Sequence, residues 1–283
     1  MDLAIIRGNF LLAAALILTL GAVSCSNSRS TMTPNPSNIA RLSDEALEKL
    51  SNSRIYFAHQ SVGYNILDGL QDHLREDQRL KIKILETTDA TQLRGGVLVH
   101  TRVGKNGDPV LKIHEFENMV EHGLGNNADF AILKFCYIDF DGTTDIEGLF
   151  ARYRQTLEKL KTMYPATTFI HLTVPLCVRA KGAKIWARDI LGYLSYGDAE
   201  NVKRNLYNDK VRREYQGKEP LFDLAAAEST YPDGKREGFT KEGMRYYSLI
   251  PGYSSDEGHL NETGRKIVAA RLIEYLAALI QSQ

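Results

Sequence analysis

The chain carries no excess of either charge. Lys and Arg number 35, as do Asp and Glu, across 283 residues, and the first 24 residues remove one of each, Asp2 and Arg7. A balanced chain has no electrostatic footprint for nucleic acid, which argues against that class of partner. Cysteine is scarce: Cys25 lies near the N-terminus, and only Cys136 and Cys177 remain. Those two either bridge in an oxidising compartment or stand as buried free thiols. His100, His114, His122 and His171 are scattered without paired ligand spacing, which argues against a zinc site. There is no internal repeat. The one long apolar run, Phe10 to Val23, falls short of the roughly 20 residues of a comfortable membrane span.

What is present is ordinary globular composition, 43% hydrophobic and 25% charged, on a length that suits one large domain or two small ones. The N-terminus has the pattern of a targeting segment: Arg7, then the apolar run, then Ala22-Val23-Ser24-Cys25. It resembles a bacterial lipoprotein signal, although Ala22 stands where that pattern favours Leu. The resemblance implies lipidation at Cys25, and hence an envelope protein tethered outside the cytoplasm. The alternative is a plain secretory signal with a chance cysteine. Residues 26–38 are rich in Ser, Thr, Asn and Pro and cannot bury a core, as expected of a flexible tether. The expected organisation is a signal over 1–24, a lipid-anchored tether over 25–40 and a folded domain over 41–283.

Within the domain, strand-like runs at 54–58, 81–85, 128–137, 167–174 and 220–224 alternate with amphipathic helical stretches. A long loop is expected from 86 to 108, and another from 225 to 258. Asp108-Pro109 is a strong helix start. Five strands alternating with helices predict an α/β fold, a three-layer α/β/α sandwich around a five-stranded parallel, flavodoxin-like sheet. Ligands of such sheets bind at the carboxyl ends of the strands.

Several candidate residues fall there. Ser61 follows the first strand in His59-Gln60-Ser61-Val62-Gly63, and Asp256-Glu257-Gly258-His259 precedes the last helix. A serine hydroxyl needs an imidazole to take its proton and an acid to hold that imidazole in one tautomer. Asp256 can reach His259 within one turn. Amides at the start of the helix after Ser61 can face a developing oxyanion. Ser61 can equally be a plain helix N-cap. His59 either lines the site or is packed and hydrogen-bonded. Asp139 either marks the site mouth or caps a loop, and Asn106 either faces the site or holds a tight turn. Five aromatic residues at 231, 239, 246, 247 and 253 either form a sugar-stacking platform or hold their long loop down.

From about Arg54 onward these blocks resemble the SGNH/GDSL hydrolase family in a divergent form. The Asp-x-x-His-Leu block matches at Asp256 to Leu260. The nucleophile block keeps Ser61 but has His59-Gln60 in place of Gly-Asp. The resemblance implies a Ser61-His259-Asp256 triad. It also implies an oxyanion hole from the amides of Ser61 and Gly104, with the Asn106 side chain as replacement for the family's third-block asparagine, whose place Ile138 takes. His59, Gln60 and Asp139 are candidate substrate contacts. The implied activity is cofactor-free hydrolysis of a small-molecule or glycan ester, an O-acetyl or other short acyl group on a carbohydrate. The same triad serves a sugar O-acyltransferase, and loss of the asparagine leaves room for a carbohydrate-binding lipoprotein without efficient turnover.

Overall fold

The structure is a computed structural model, and it describes residues 39–182 and 197–282. The expected signal and most of the tether, with Cys25, lie outside the described residues.

Among the described residues, six strands form one parallel sheet: β1 (Arg54–His59), β2 (Lys83–Glu86), β3 (Val97–Arg102), β4 (Phe130–Leu133), β5 (Thr168–Leu172) and β6 (Leu221–Phe222). Their order is β2-β3-β1-β4-β5-β6, and every adjacent pair is parallel. Both faces are covered, so the central strands are buried on both sides and alternate between two cores. Ile55 and Phe57 of β1, with Phe130 and Ile132 of β4, pack into one core. Tyr56 and Ala58, with Ala131 and Leu133, pack into the other. The first core is closed by α1 (Asp44–Ser51), α2 (Val62–Glu76) and the terminal helix; the second by α3 (Pro109–Met119), α4 (Ile146–Met163) and α5 (Asp198–Tyr215). A short α6 (Leu224–Ser229) and the terminal α7 (Glu262–Gln281) complete the helices that matter here. The α/β/α architecture is as the sequence predicts.

The strand count is not. The sixth strand is β3, which lies inside the stretch read as loop. Val97, Leu98 and Val99 are buried and pair on both sides, with β1 and with β2. Its flanks, Gly95-Gly96 and Gly104, look like loop punctuation. Gly96 has φ +80 and Gly104 φ +58, conformations that glycine supplies at little steric cost. The run expected as the second strand forms β2, at the sheet edge. The expected fifth strand shrinks to Leu221–Phe222, because Asp223 caps α6 through the Ala226 amide. The second expected loop contains α6 and an antiparallel hairpin, β7 (Gly238–Lys241) with β8 (Met244–Tyr247).

The topology makes a switch at β1. From β1 the chain goes out to the edge strand β2 and returns inward to β3 beside β1, and α3 then carries it across β1 to β4 on the opposite side. The crevice at the carboxyl end of β1 is therefore where such a sheet holds its ligands. Ser61 lies there.

Candidate active site

Ser61 sits at the N-cap position of α2 with φ 46 and ψ −105, and its side chain makes no capping hydrogen bond. That conformation is uncommon for any residue with a Cβ. It turns the hydroxyl away from the helix and toward the terminal loop, where Oγ lies 2.5 Å from His259 Nε2. The plain N-cap role is thus not what the hydroxyl does. His259 Nδ1 donates to Asp256 Oδ2 at 2.7 Å, while Asp256 Oδ1 accepts the amides of Gly258 and His259 at 2.7 and 2.8 Å. With Nδ1 carrying the proton toward the carboxylate, Nε2 is left as the acceptor for the Ser61 proton. Burial pushes the Asp256 carboxyl up, but the two amides and the His259 ring outweigh it and hold the pKa below the ordinary value.

Three contacts outside the triad hold these pieces in place. Asn65, one turn along α2 from Ser61, accepts the Leu260 amide at 3.1 Å, tying the helix of Ser61 to the loop of His259. The Tyr137 ring stands edge-on to His259, centroids 5.6 Å apart, and a Cβ at position 258 would lie 2.4 Å from that ring. Gly258 is therefore required for close approach. The Val178 amide donates to the Glu257 carbonyl at 2.8 Å.

The oxyanion hole differs from the expectation. The Gly104 amide donates to Glu115 Oε2 at 2.6 Å and is not available to a substrate. Asn106 is exposed, and its Oδ1 accepts from Lys112 Nζ at 3.1 Å. Both corrections have one cause, the packing of α3 against this loop. Lys112 is fully buried and needs acceptors. It takes Asn106 together with both oxygens of Asp139, at 2.7 and 2.6 Å. Asp139, expected as a substrate contact, is closed from solvent. Its carboxylate also accepts the amides of Gly107 at 2.9 Å and Cys136 at 2.7 Å. The Ser61 amide, by contrast, makes no hydrogen bond among the described residues, as befits the first orphan donors of a helix.

The other candidates divide. His59 is buried and packed, with Nε2 3.1 Å from His100 Nδ1. A Cβ at position 63 would lie 2.3 Å from its ring, so Gly63 lets α2 start on top of it. Burial pushes the His59 pKa down to about 2, and it stays neutral; it is not a substrate contact. Gln60 donates from its side-chain amide to the carbonyls of Val103 and Gly104 at 3.3 and 3.0 Å, and remains half-buried at the site. Of the five aromatics, Phe239, Tyr246 and Tyr253 are buried, and Arg236 stacks on Tyr247 at 3.4 Å. Tyr231 donates to Glu237, none of the five is fully exposed, and they hold this segment down. Cys136 and Cys177 are free and buried.

Two hollows flank the triad. One of about 310 Å³ touches Gln60, Glu86, Thr101, Arg102 and Gly104. The other, about 400 Å³, touches Tyr137, Ile138, Cys177, Arg204 and Asp256. A further open hollow at Lys49, Asn52 and Asp129 lies at the opposite, N-terminal ends of the strands.

Sequence reasoning overlooked Lys134. It lies one residue past β4, is fully buried, and donates from Nζ to the Gln60 carbonyl at 2.9 Å. The available signal was a lysine inside the apolar run Ala128 to Tyr137.

No protein-family profile and no curated protein matches the chain. Among solved structures it is similar to a GDSL-like lipase from Bacteroides thetaiotaomicron, with 14% identity over 81% of this chain and 88% of that one, at a TM-score of 0.48. It is also similar to the periplasmic domain of a Salmonella ser. Paratyphi A lipopolysaccharide acetyltransferase, with 13% identity over 77% and 81%, at 0.43. A peptidoglycan O-acetylesterase aligns with 14% identity over 67% of this chain and 48% of that one, at 0.42. These likenesses are distant.

Proposed function

We propose that the chain is a serine esterase that removes a short acyl group, acetyl foremost, from a carbohydrate ester outside the cytoplasm, tethered through a lipid on Cys25. The observation that carries the catalytic part is the continuous chain Ser61 Oγ, His259 Nε2, His259 Nδ1, Asp256 Oδ2 at the strand-end switch point. Ser61 gives its proton to His259 Nε2 as Oγ attacks the ester carbonyl, and the carbonyl oxygen becomes the oxyanion facing the Ser61 amide. Collapse breaks the bond to the alcohol oxygen, which takes the proton from His259. Water then repeats the sequence on the acyl-serine and releases the acid. Asp256 stabilises the transient imidazolium and fixes its tautomer. The two hollows give the acyl and alcohol parts a side each. The targeting pattern from Arg7 to Cys25 and the polar stretch 26–38 support the tether and the envelope location.

The test is turnover of a small acetyl ester by wild type and Ser61→Ala, with folding checked by circular dichroism. Serine-dependent turnover and labelling by a fluorophosphonate probe are expected. Absence of both sinks the reading. A second reading, carbohydrate binding with little turnover, is favoured by the occupied Gly104 amide, since one lost oxyanion donor lowers rate by about 10²–10³. Sugar binding that survives Ser61→Ala without any wild-type hydrolysis would select it. Acyl transfer uses the same triad and is distinguished by product: acylated sugar formed from an added acceptor, in place of free acid.

A further inference from the structure

A peptide carbonyl beside the nucleophile is clamped from three sides. The Gln60 oxygen accepts the Gly63 amide at 3.0 Å, the Cys136 thiol at 3.2 Å and the Lys134 ammonium at 2.9 Å. Lys134 also lies 3.4 Å from the Cys136 sulfur. No carboxylate pairs with it among the described residues, and the nearby Asp139 is engaged by Lys112. A buried ammonium without a carboxylate in contact is a costly way to fill space that a methionine would fill at less expense. What it touches is therefore informative. The Gln60 carbonyl and the Ser61 N–H belong to one planar peptide unit, and in a trans peptide they point in opposite directions. Fixing the oxygen fixes the direction of the N–H. Positive charge at the oxygen end also draws electron density from the N–H end, which makes it a stronger donor. With the Gly104 amide committed to Glu115 and the Asn106 side chain held through its oxygen by Lys112, the Ser61 amide is the backbone donor left from the expected set.

We propose that Lys134 is a positioning residue: its buried ammonium orients and polarises the Gln60–Ser61 peptide, so that the Ser61 amide acts as oxyanion donor where an asparagine side chain is missing. This rests on the esterase reading. Burial and the neighbouring Lys112 push the Lys134 pKa down, and Cys136 and Asp139 oppose that fall.

The experiment compares kcat and KM of the full chain, wild type, Lys134→Met, Lys134→Gln and Leu133→Ala, on a small acetyl ester, with melting temperatures and the affinity of a small alkyl boronic acid. Lys134→Met is expected to lower kcat about 10- to 100-fold with KM changed less than about threefold. Boronate affinity should fall with kcat, because the tetrahedral adduct places an oxygen at the same amide. Lys134→Gln, which keeps a donor but no charge, should recover part of the loss. Leu133→Ala, destabilised by a neighbouring core cavity, should keep its kcat. A Lys134→Met kcat within about threefold of wild type overturns the proposal. So does a loss that tracks melting temperature across all variants, or failure of both Lys134 variants to fold, which would assign the residue to the core. A wild type without serine-dependent turnover overturns the esterase reading, and this proposal with it; an active wild type matched by Lys134→Met overturns this proposal alone.

Discussion

Replacing Ser61 by alanine and by glycine separates the hydroxyl from the backbone it sits on. Both substitutions remove the Oγ contact to His259 and should abolish turnover. They differ in the Cβ, which must be carried at φ 46 and ψ −105. A residue held in such a region costs on the order of 1–3 kcal/mol. Alanine keeps that strain and glycine releases it. Glycine has a drawback of its own, since its extra freedom in the unfolded chain disfavours folding by about 0.5–1 kcal/mol relative to alanine. No capping bond is lost in either case, because the Ser61 side chain makes none. The difference leaves Ser61→Gly more stable than Ser61→Ala by roughly 1 kcal/mol. For a domain of this size that is about 2–4 °C in Tm. The order is the reverse of the usual one at helical positions, where alanine is favoured. Thermal melts of the two inactive variants, monitored by far-UV circular dichroism under one buffer, measure it. A Ser61→Ala variant that melts at or above Ser61→Gly would show that the turn holds no strain, and that the hydroxyl is not being aimed by its backbone.

Three further outcomes follow from the same contacts. Asp256→Asn should lower kcat by about 10²–10³, less than for a buried triad acid because the Asp256 side chain is 52% exposed, with little change in KM; a kcat loss under about threefold would remove Asp256 from the triad. Breaking the buried Lys112–Asp139 pair by Lys112→Met or Asp139→Asn should destabilise the protein by about 3–5 kcal/mol, read by urea denaturation, while a cost below about 1 kcal/mol would contradict their burial together. Burial raises the Glu228 carboxyl from its ordinary 4.5 to about 8. The unfolded chain therefore gives up this proton near 4.5 while the fold keeps it, and this site's contribution to stability falls by up to roughly 1.4 kcal/mol for each pH unit between those values. Glu228→Gln keeps an acceptor for the Leu176 amide that Glu228 Oε2 now holds at 2.9 Å. It should melt above wild type at pH 8 with the gap closing toward pH 5; parallel Tm curves for the two proteins would refute the shift.

The sheet and the meeting of Ser61, His259 and Asp256 were legible in the sequence for different reasons. Strands β1, β4 and β5 are runs buried on both faces, so continuous hydrophobicity marks them. The meeting was legible because Asp256 and His259 lie within one turn of each other and Ser61 directly follows a strand, so local geometry does most of the positioning. β3 was hidden by its glycines, which here turn the chain into and out of a strand as they would around a loop. α6 was hidden because Asp223 ends a two-residue strand and caps a helix in the same step.

What sequence could not deliver was the fate of single amides and carboxylates, and that decides the oxyanion hole. Gly104, Asn106 and Asp139 all fall at strand ends, where the fold makes such residues look available. Each is instead engaged by a charged side chain of α3, Glu115 or Lys112, whose reach across the loop no spacing rule encodes. The buried pair has a positive consequence as well. Asp139 accepts the Gly107 amide from the loop after β3 and the Cys136 amide from the segment after β4, and so locks together the two segments that border Gln60. Cys136, held there, donates to the Gln60 carbonyl alongside Lys134. Asp139, Cys136 and Lys134 therefore form the frame that holds the Gln60–Ser61 peptide. On the proposed mechanism, oxyanion stabilisation depends on how rigidly one backbone amide is held, more than on how many donors surround the oxygen.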